Sequence, residues 1–136
     1  MLFRSWTENG TIPFIADGAL GGKIGTGGKD LKAVRFADEL LKFRKVDLLL
    51  MDIEGAESLV IFDCAGVLDR VDALFVEWHG REKEAQLLPE LLDQLSLAGF
   101  RYQLDNNLSV STFTERLIEN GFDAMAGIYA TRPAGK

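Results

Sequence analysis

The sequence predicts an α/β fold, a three-layer sandwich built around a mostly parallel sheet. Two similar segments predict it: residues 46–55 read VDLLLMDIEG, and residues 71–80 read VDALFVEWHG. Each begins with Val-Asp, continues through apolar residues, and ends on polar residues and Gly, as expected of a strand that is buried on both faces. Helical patterns of about a dozen residues connect the strands, which indicates parallel neighbours with right-handed crossovers.

We expect one domain over residues 1–136, because no linker or break in composition divides the chain. Residues 1–32 are predicted to be an irregular, Gly-rich segment, and residues 33–132 to be strand–helix repeats. Within the first segment a short strand is expected at 12–16, where Pro13 favours a sheet edge or the start of a strand. The Gly-rich stretch 18–28 lacks the spacing of a nucleotide-binding loop, which predicts a flexible surface loop.

The remaining elements follow from hydrophobic periodicity and from Gly residues that end helices. The clearest helix is predicted at 82–98, where leucines recur at helical spacing and Gly99 follows the last turn. The full predicted order is a strand at 34–36, a helix at 37–44, a strand at 46–53, a helix at 56–69, a strand at 71–79, the helix at 82–98, a strand at 100–104, a helix at about 112–120, and a strand at 124–131.

Composition argues against several classes of partner. The formal net charge is −6, and no basic face is visible, which argues against nucleic acid and against an anionic membrane surface. Cys64 is the single cysteine, so no intrachain disulfide can form, and we expect a small buried residue there. The first residues lack the apolar stretch of a signal peptide, and a cytoplasmic location is therefore expected.

Polar residues at the ends of two neighbouring strands form the candidate site. Asp52 and Glu54 follow the apolar run of one predicted strand, and Glu77 and His79 end the next. Members of each pair share a face, since alternate residues of a strand point to the same side. Ligands of open α/β sheets bind at the carboxyl ends of the strands. We therefore expect these four groups in one crevice, with Glu57 adding a fifth from the start of the following helix.

This predicted cluster has a chemical consequence. Carboxylates held close together do not all ionise without a cation, a bound proton, or a substrate rich in hydroxyl donors. His79 is the only histidine of the chain, and an imidazole is suited to proton abstraction near neutral pH. The alternative for each residue is a structural role, in which a polar group at a strand end caps the next helix or faces solvent.

The segment VDLLLMDIEGAE at 46–57 resembles the hallmark of the FkbM-type methyltransferases. That hallmark is an apolar strand ending in Asp-x-Glu-Gly-x-Glu, which Asp52, Glu54, Gly55 and Glu57 match. Residues 73–80 resemble the next strand of the family, with Glu77 and His79 in matching places. Further similarity extends the resemblance over about residues 33–105.

The resemblance implies a partial Rossmann-like methyltransferase fold and S-adenosylmethionine as cofactor. The implied reaction is O-methylation of a hydroxyl on a sugar or similar small-molecule acceptor. Asp52, His79 and Glu77 would be catalytic, and Glu54 and Glu57 would orient the acceptor. The family's preceding strands, which hold the methionine and ribose parts of the cofactor, are not found here. The chain therefore resembles the carboxyl-terminal half of such an enzyme.

Two other functions remain open at this point. Asp52, Glu54, Glu77 and His79 have the ligand types of a hydrolase that depends on Mg²⁺ or Mn²⁺. The chain is alternatively a non-catalytic module that associates through a sheet edge. Strand 46–53 would be such an edge if the preceding strands of the family are missing. We expect this edge to be covered by residues 12–16, by residues 33–36, or by a second copy of the chain.

Overall fold

A computed structural model describes residues 3–16, 22–24, 27–105, 118 and 121–133. Apart from residue 118, the helix predicted at about 112–120 falls outside these residues, as does most of the Gly-rich stretch. The described chain forms two four-stranded sheets and three α-helices. The site residues predicted from the sequence belong to the second sheet or to the loop and helix that follow β5.

The first sheet contradicts the expectation that residues 1–32 are irregular. Its strands are β1 (Phe3–Trp6), β2 (Gly10–Ala16), β3 (Gly22–Ile24) and β4 (Lys29–Arg35), in the spatial order β1-β4-β2-β3. β1 runs parallel to β4, whereas β2 is antiparallel to both β3 and β4. The Gly-rich composition predicted an irregular segment. Short strands can nevertheless form there, because strands that pair with one another need few apolar residues to satisfy their backbone hydrogen bonds.

Pro13 lies within β2, which is an interior strand of this sheet. The register explains how the sheet accommodates it. Residues 10–14 of β2 pair with β4, while β3 pairs only with residues 14–16. Among the described residues Pro13 is paired only with Asp30 of β4, so its missing N–H need not remove a ladder hydrogen bond on the β3 side.

The second sheet is mixed rather than mostly parallel. Its strands are β5 (Val46–Met51), β6 (Val71–Gly80), β7 (Arg101–Asp105) and β8 (Ala124–Thr131), in the order β5-β6-β8-β7. β5 and β6 are parallel, and β8 is antiparallel to both β6 and β7. β7 therefore runs in the same direction as β5 and β6. Because these three strands agree in direction, their carboxyl ends lie at one edge of the sheet.

The helices are shorter than predicted. They are α1 (Phe36–Leu40), α2 (Glu57–Asp63) and α3 (Leu88–Leu97), and a 3₁₀ turn spans Leu68–Arg70. The predicted start of α3 at residue 82 is wrong, and Pro89 is the physical reason. Proline lacks an N–H and clashes with the preceding turn, so it is tolerated in the first turn of a helix but not eight residues into one.

The main core lies between the helices and one face of the second sheet. α2 contacts β6 and α3, and α3 contacts β7. The side chains that are wholly inaccessible to solvent in this core include Val60, Ile61, Leu68, Val71, Val76, Leu91, Leu95 and Ile128. Burial of such residues is the main stabilising contribution to the fold.

The described residues leave the opposite face of this sheet open. Leu48 is 58% exposed, Leu50 67% and Tyr129 50%. Leu50 pairs with Phe75, and Phe75 pairs with Tyr129, so these residues form a row across the open face. No described helix covers that row, so the described residues form two layers here and do not confirm the predicted third layer.

The free side of β5 has no partner strand among the described residues. Residues 12–16 and 33–35 pair inside the first sheet, so the prediction that they cover this edge is wrong. Coverage by a second copy stays a prediction. In the part of the chain that is described, no helix has the length and apolar character needed to cross a membrane.

Candidate active site

The carboxyl ends of β5 and β6 bring three of the predicted site residues together. Oxygen or nitrogen atoms of Asp52, Glu57 and His79 all lie within 4.8 Å of one another. Glu77 joins the group, with its Oε1 3.5 Å from Nε2 of His79. The expected meeting of Asp52, Glu57, Glu77 and His79 is thus consistent with the geometry, whereas Glu54 is not a member of this group.

Glu57 is the buried centre of this cluster, with none of its surface accessible to solvent. Its Oε1 accepts hydrogen bonds from the backbone N–H groups of Ile53 and Gly55, at 3.1 and 3.0 Å. Its Oε2 accepts one from the backbone N–H of His79 at 3.4 Å. A carboxylate at the start of α2 also has a favourable interaction with the helix dipole. Glu57 therefore ties the loop after β5 to the end of β6.

That loop turns through two residues in the left-handed region, Glu54 at φ 59° and Gly55 at φ 101°. A glycine is required at the second position for a further reason. A Cβ atom on Gly55 would lie 3.0 Å from Nη1 of Arg81 and 3.2 Å from Cε1 of Phe122. The Gly of the hallmark therefore allows two side chains to close over the loop.

The imidazole of His79 is held between two carboxylates. Its Nδ1 lies 3.2 Å from Oε1 of Glu57, and its side chain is only 4% exposed. The acidic partner on Nδ1 favours the tautomer in which that nitrogen carries the proton. Nε2 is then the nitrogen available for proton transfer, and Glu77, which is partly exposed, lies next to it.

Opposing effects set the pKa of each member of this pair. Burial alone lowers the pKa of His79, but the hydrogen bond and charge of Glu57, with Glu54 and Asp52 further away, raise it above 6.5 overall. Burial alone raises the pKa of Glu57, but hydrogen bonds from His79 and the backbone of Gly55 lower it overall. Both shifts favour an ionised Glu57 beside a readily protonated His79.

Two further residues close the site, and the sequence analysis did not identify them. The ring of Phe122 lies 4.7 Å from that of His79, and the guanidinium carbon of Arg81 lies 4.4 Å from the Phe122 centroid. Arg81 Nη2 also donates to the carbonyl oxygen of Glu54 at 3.4 Å. Arg81 directly follows Gly80 at the carboxyl end of β6. Its position in the sequence could therefore have identified it, because ligands bind at the carboxyl ends of such strands. No local signal marks Phe122, because only the approach of β8 places it there.

The predicted residues differ in their access to solvent. Asp52 is exposed, Glu54 and Glu77 are partly buried, and His79 and Glu57 are buried. Trp78, between Glu77 and His79 on β6, is buried and donates from Nε1 to Ser58 Oγ at 3.1 Å. The burial of Glu57 behind His79 favours a positioning role for it. Contact of Glu54 or Glu57 with an acceptor stays a prediction.

Comparison with protein-family models gives one match that covers most of the chain. The model of the methyltransferase FkbM domain matches residues 12–102, about two thirds of the sequence. The chain belongs to the FkbM methyltransferase family. Searches of curated proteins and of solved structures returned no match. The match includes the 46–57 hallmark and the predicted site residues Glu77 and His79, whereas Phe122 lies outside it.

Membership of a methyltransferase family generally implies S-adenosylmethionine as the methyl donor. The resemblance places the methionine-binding and ribose-binding residues on strands that precede the hallmark and extend its sheet. Among the described residues, every strand before β5 belongs to the first sheet and none pairs with β5. The described residues therefore do not by themselves fit this cofactor. The chemistry that their side chains can support concerns the acceptor alone.

Proposed function

We propose that this FkbM-family chain acts on the acceptor side of a methyl transfer, by binding and deprotonating a hydroxyl group of a sugar or similar metabolite. The observation that carries the proposal is the buried pair of Glu57 and His79, whose Nδ1–Oε1 distance is 3.2 Å. A carboxylate that orients a histidine as general base is a recurring arrangement in enzymes that activate hydroxyl groups. S-adenosylmethionine would supply the methyl group, and no described residue is assigned to holding it.

The roles of the remaining side chains follow from their exposure. The Nε2 atom of His79 takes the proton from the acceptor hydroxyl, and Glu57 stabilises the imidazolium that forms. Glu77, 3.5 Å from Nε2, and the exposed Asp52 accept hydrogen bonds from neighbouring hydroxyls of the acceptor. A polyhydroxylated acceptor suits this set, because it brings several donors to a site that has acceptor oxygens.

The proposal predicts transfer that depends on His79. S-adenosylmethionine carrying a labelled methyl group would be incubated with the chain and a panel of sugars and hydroxylated metabolites. His79→Gln should abolish label transfer, and Glu57→Gln should reduce kcat by about a hundredfold, a typical contribution of general-base catalysis. Asp93→Asn, which changes an exposed residue of α3, is the matched control and should leave transfer unchanged.

Two results would separate binding from catalysis. Since His79 is the only histidine, its Cε1–H resonance reports directly on the site. A panel member that shifts this resonance without label transfer would support acceptor binding but not catalysis by this chain. If no hydroxylated compound gave label transfer and none shifted the resonance, the proposed function would be contradicted.

A metal-dependent hydrolase is the second candidate, and one observation favours it. The grouping of Asp52, Glu57 and His79 within 4.8 Å is compatible with the ligand set of a divalent cation. Against it, both oxygens of Glu57 already accept protein hydrogen bonds. A cation that binds the folded chain must raise its melting temperature, so unchanged Tm values in Mg²⁺ and Mn²⁺ would reject this candidate.

A further inference from the structure

The direction of the His79 imidazole matters for proton abstraction, because a general base acts only when its free nitrogen reaches the hydroxyl at hydrogen-bond distance. The contact between Nδ1 and Oε1 of Glu57, at 3.2 Å, holds one ring nitrogen. It does not by itself fix the plane of the ring, since the χ2 torsion of histidine has no sharp preference. The side chains that pack on the imidazole therefore decide where Nε2 points.

Phe122 packs directly on this imidazole. The two ring centroids are 4.7 Å apart and the ring planes are inclined by 46°. The ladder between β6 and β8 brings Phe122 there, because Ala124 pairs with Gly80. The backbone N–H of Asp123 also donates to the carbonyl oxygen of Gly80 at 3.1 Å. The residues just before β8 therefore form a wall against the ring of His79.

Arg81 holds Phe122 in turn. Its guanidinium carbon lies 4.4 Å from the centroid of the phenyl ring, which is the geometry of a cation–π interaction. A planar guanidinium suits such stacking, whereas an ammonium group does not. The ion pair of Arg81 with Glu84, at 3.4 Å, is exposed to solvent and constrains the side chain less. Contact with Phe122 is therefore the main restraint on the guanidinium.

Arg81 also contacts the loop after β5. Its Nη2 atom donates to the carbonyl oxygen of Glu54 at 3.4 Å. Glu54 has a φ of 59°, which residues with side chains seldom adopt unless their surroundings hold them there. Gly55 leaves room for the contact, since a Cβ atom there would lie 3.0 Å from Nη1 of Arg81. One side chain thus connects this loop, the end of β6 and the segment before β8.

We propose that Arg81 is a positioning residue, which acts through Phe122 to hold the imidazole of His79 with Nε2 directed toward the acceptor. This role rests on the proposed function, because that function supplies the acceptor. The fixed imidazole itself is a property of the chain without any ligand. Neither Arg81 nor Phe122 touches the reacting atoms, so both act only through the direction of the base.

NMR of the free chain tests the positioning, because His79 is the only histidine. At a pH above the pKa of His79, the ring nitrogens of the wild-type chain should report the Nδ1–H tautomer alone. The imidazole protons should show nuclear Overhauser effects to the ring protons of Phe122. Arg81→Met should weaken these effects, and both Arg81→Met and Phe122→Leu should admit the Nε2–H tautomer. Phe122→Leu changes no charge, so agreement between the two variants assigns the effect to packing.

Glu84→Gln is the matched control. It removes the exposed ionic partner of Arg81 and keeps the contact with Phe122, so the tautomer and the Overhauser effects should stay as in the wild-type chain. Circular dichroism of each variant confirms that the fold is kept. If Phe122→Leu does not fold, Arg81→Met decides the test, because the Arg81 side chain is 29% exposed.

Transfer of a labelled methyl group tests whether this position matters for the reaction. With an acceptor that the wild-type chain methylates, Arg81→Met and Phe122→Leu should lower kcat about tenfold, since a misdirected base is less effective. KM should stay nearly constant, because neither variant removes a group that binds the acceptor. Glu84→Gln should change neither constant.

The outcomes separate this role from the proposed function. If Arg81→Met keeps the wild-type tautomer and Overhauser effects, the positioning role is overturned, whether or not the chain transfers a methyl group. A loosened imidazole with an unchanged kcat overturns it as well, because the ring position would then not limit the reaction. A loosened imidazole in the variants, together with a wild-type chain that neither binds nor methylates any acceptor, would reject the proposed function while supporting the restraint of His79 by Arg81.

Discussion

Glu57 and His79 are the residues on which the candidate site depends. The sequence identified both, because each belongs to an acidic or polar pattern at the end of an apolar strand. It did not predict that Glu57 would be buried with its carboxylate on Nδ1 of His79. That contact depends on the loop at Glu54 and Gly55, whose left-handed turn directs α2 back toward β6.

The titration of His79 provides a direct prediction. Its pKa should lie above 6.5, and Glu57→Gln should lower it, since the substitution removes the charge that stabilises the imidazolium. Glu77→Gln is the matched control and should have a smaller effect, because Glu77 is more exposed. NMR of the single Cε1–H resonance against pH measures all three values. A wild-type pKa below 6.5 would contradict the assigned pair.

The same shifts predict how stability depends on pH. The raised pKa of His79 contributes stability that is complete below about 6.5 and is lost as pH rises through the folded-state value. The lowered pKa of Glu57 contributes stability that is present above about 4.5 and is lost as pH falls through its folded-state value. The contribution of the pair is therefore greatest between these two pH values.

Urea unfolding of the wild-type chain and Glu57→Gln measures this contribution. The substitution should lower the free energy of unfolding by about 3 kcal/mol at pH 5.5, because it disrupts a buried, hydrogen-bonded charge pair. The difference should be smaller at an alkaline pH above the pKa of His79 in the wild-type chain, where the imidazole is no longer charged. An equal difference at the two pH values would show that Glu57 acts only through its backbone hydrogen bonds.

At the scale of elements, α3 shows both the strength and the limit of sequence patterns. Leucine spacing predicted the helix and its buried stripe, and Leu91 and Leu95 are indeed inaccessible to solvent. The predicted start was wrong because charged residues before Pro89 fit a helical pattern that proline does not permit. For β8, by contrast, the predicted bounds were correct, because the strand spans residues 124–131 as expected.

Two leucines of α3 provide a matched test of its packing. Leu91→Ala should lower the free energy of unfolding by about 2–5 kcal/mol, because the residue is fully buried and leaves a cavity. Leu97→Ala removes the same atoms from a residue that is 83% exposed and should change stability by less than about 0.5 kcal/mol. Chemical denaturation measures both, and similar losses would contradict the observed orientation of the helix.

At the scale of the whole molecule, Arg132 joins elements that are far apart in sequence. Its Nε, Nη1 and Nη2 atoms donate to the carbonyl oxygens of Val71, Ala98 and Leu68, at 2.8, 2.7 and 2.7 Å. Its guanidinium carbon lies 4.3 Å from the centroid of Phe100. The end of β8, the start of β6 and the end of α3 are therefore fixed to one another by a single side chain.

Arg132→Lys tests this connection. A lysine ammonium cannot reproduce the planar array of donors, so the free energy of unfolding should fall by about 2 kcal/mol. Arg101→Lys, an exposed substitution on β7, is the control and should be nearly neutral. Differential scanning calorimetry gives both values, and equal Tm values for the two variants would show that the three hydrogen bonds are not stabilising.

The sequence by itself determined the order of the described strands and helices between residues 46 and 105, the resemblance to the family, and the choice of Asp52, Glu57, Glu77 and His79 as candidate site residues. Those features follow from local periodicity and from polar residues at strand ends, which neighbouring residues alone can specify. Only the tertiary structure decided the antiparallel insertion of β8, the open face of the second sheet, and the separate sheet formed before β5. It also placed Phe122 beside His79 and Arg81 over the ring of Phe122. These features depend on contacts between distant segments, and hydrophobic patterns carry no information about which distant segments meet.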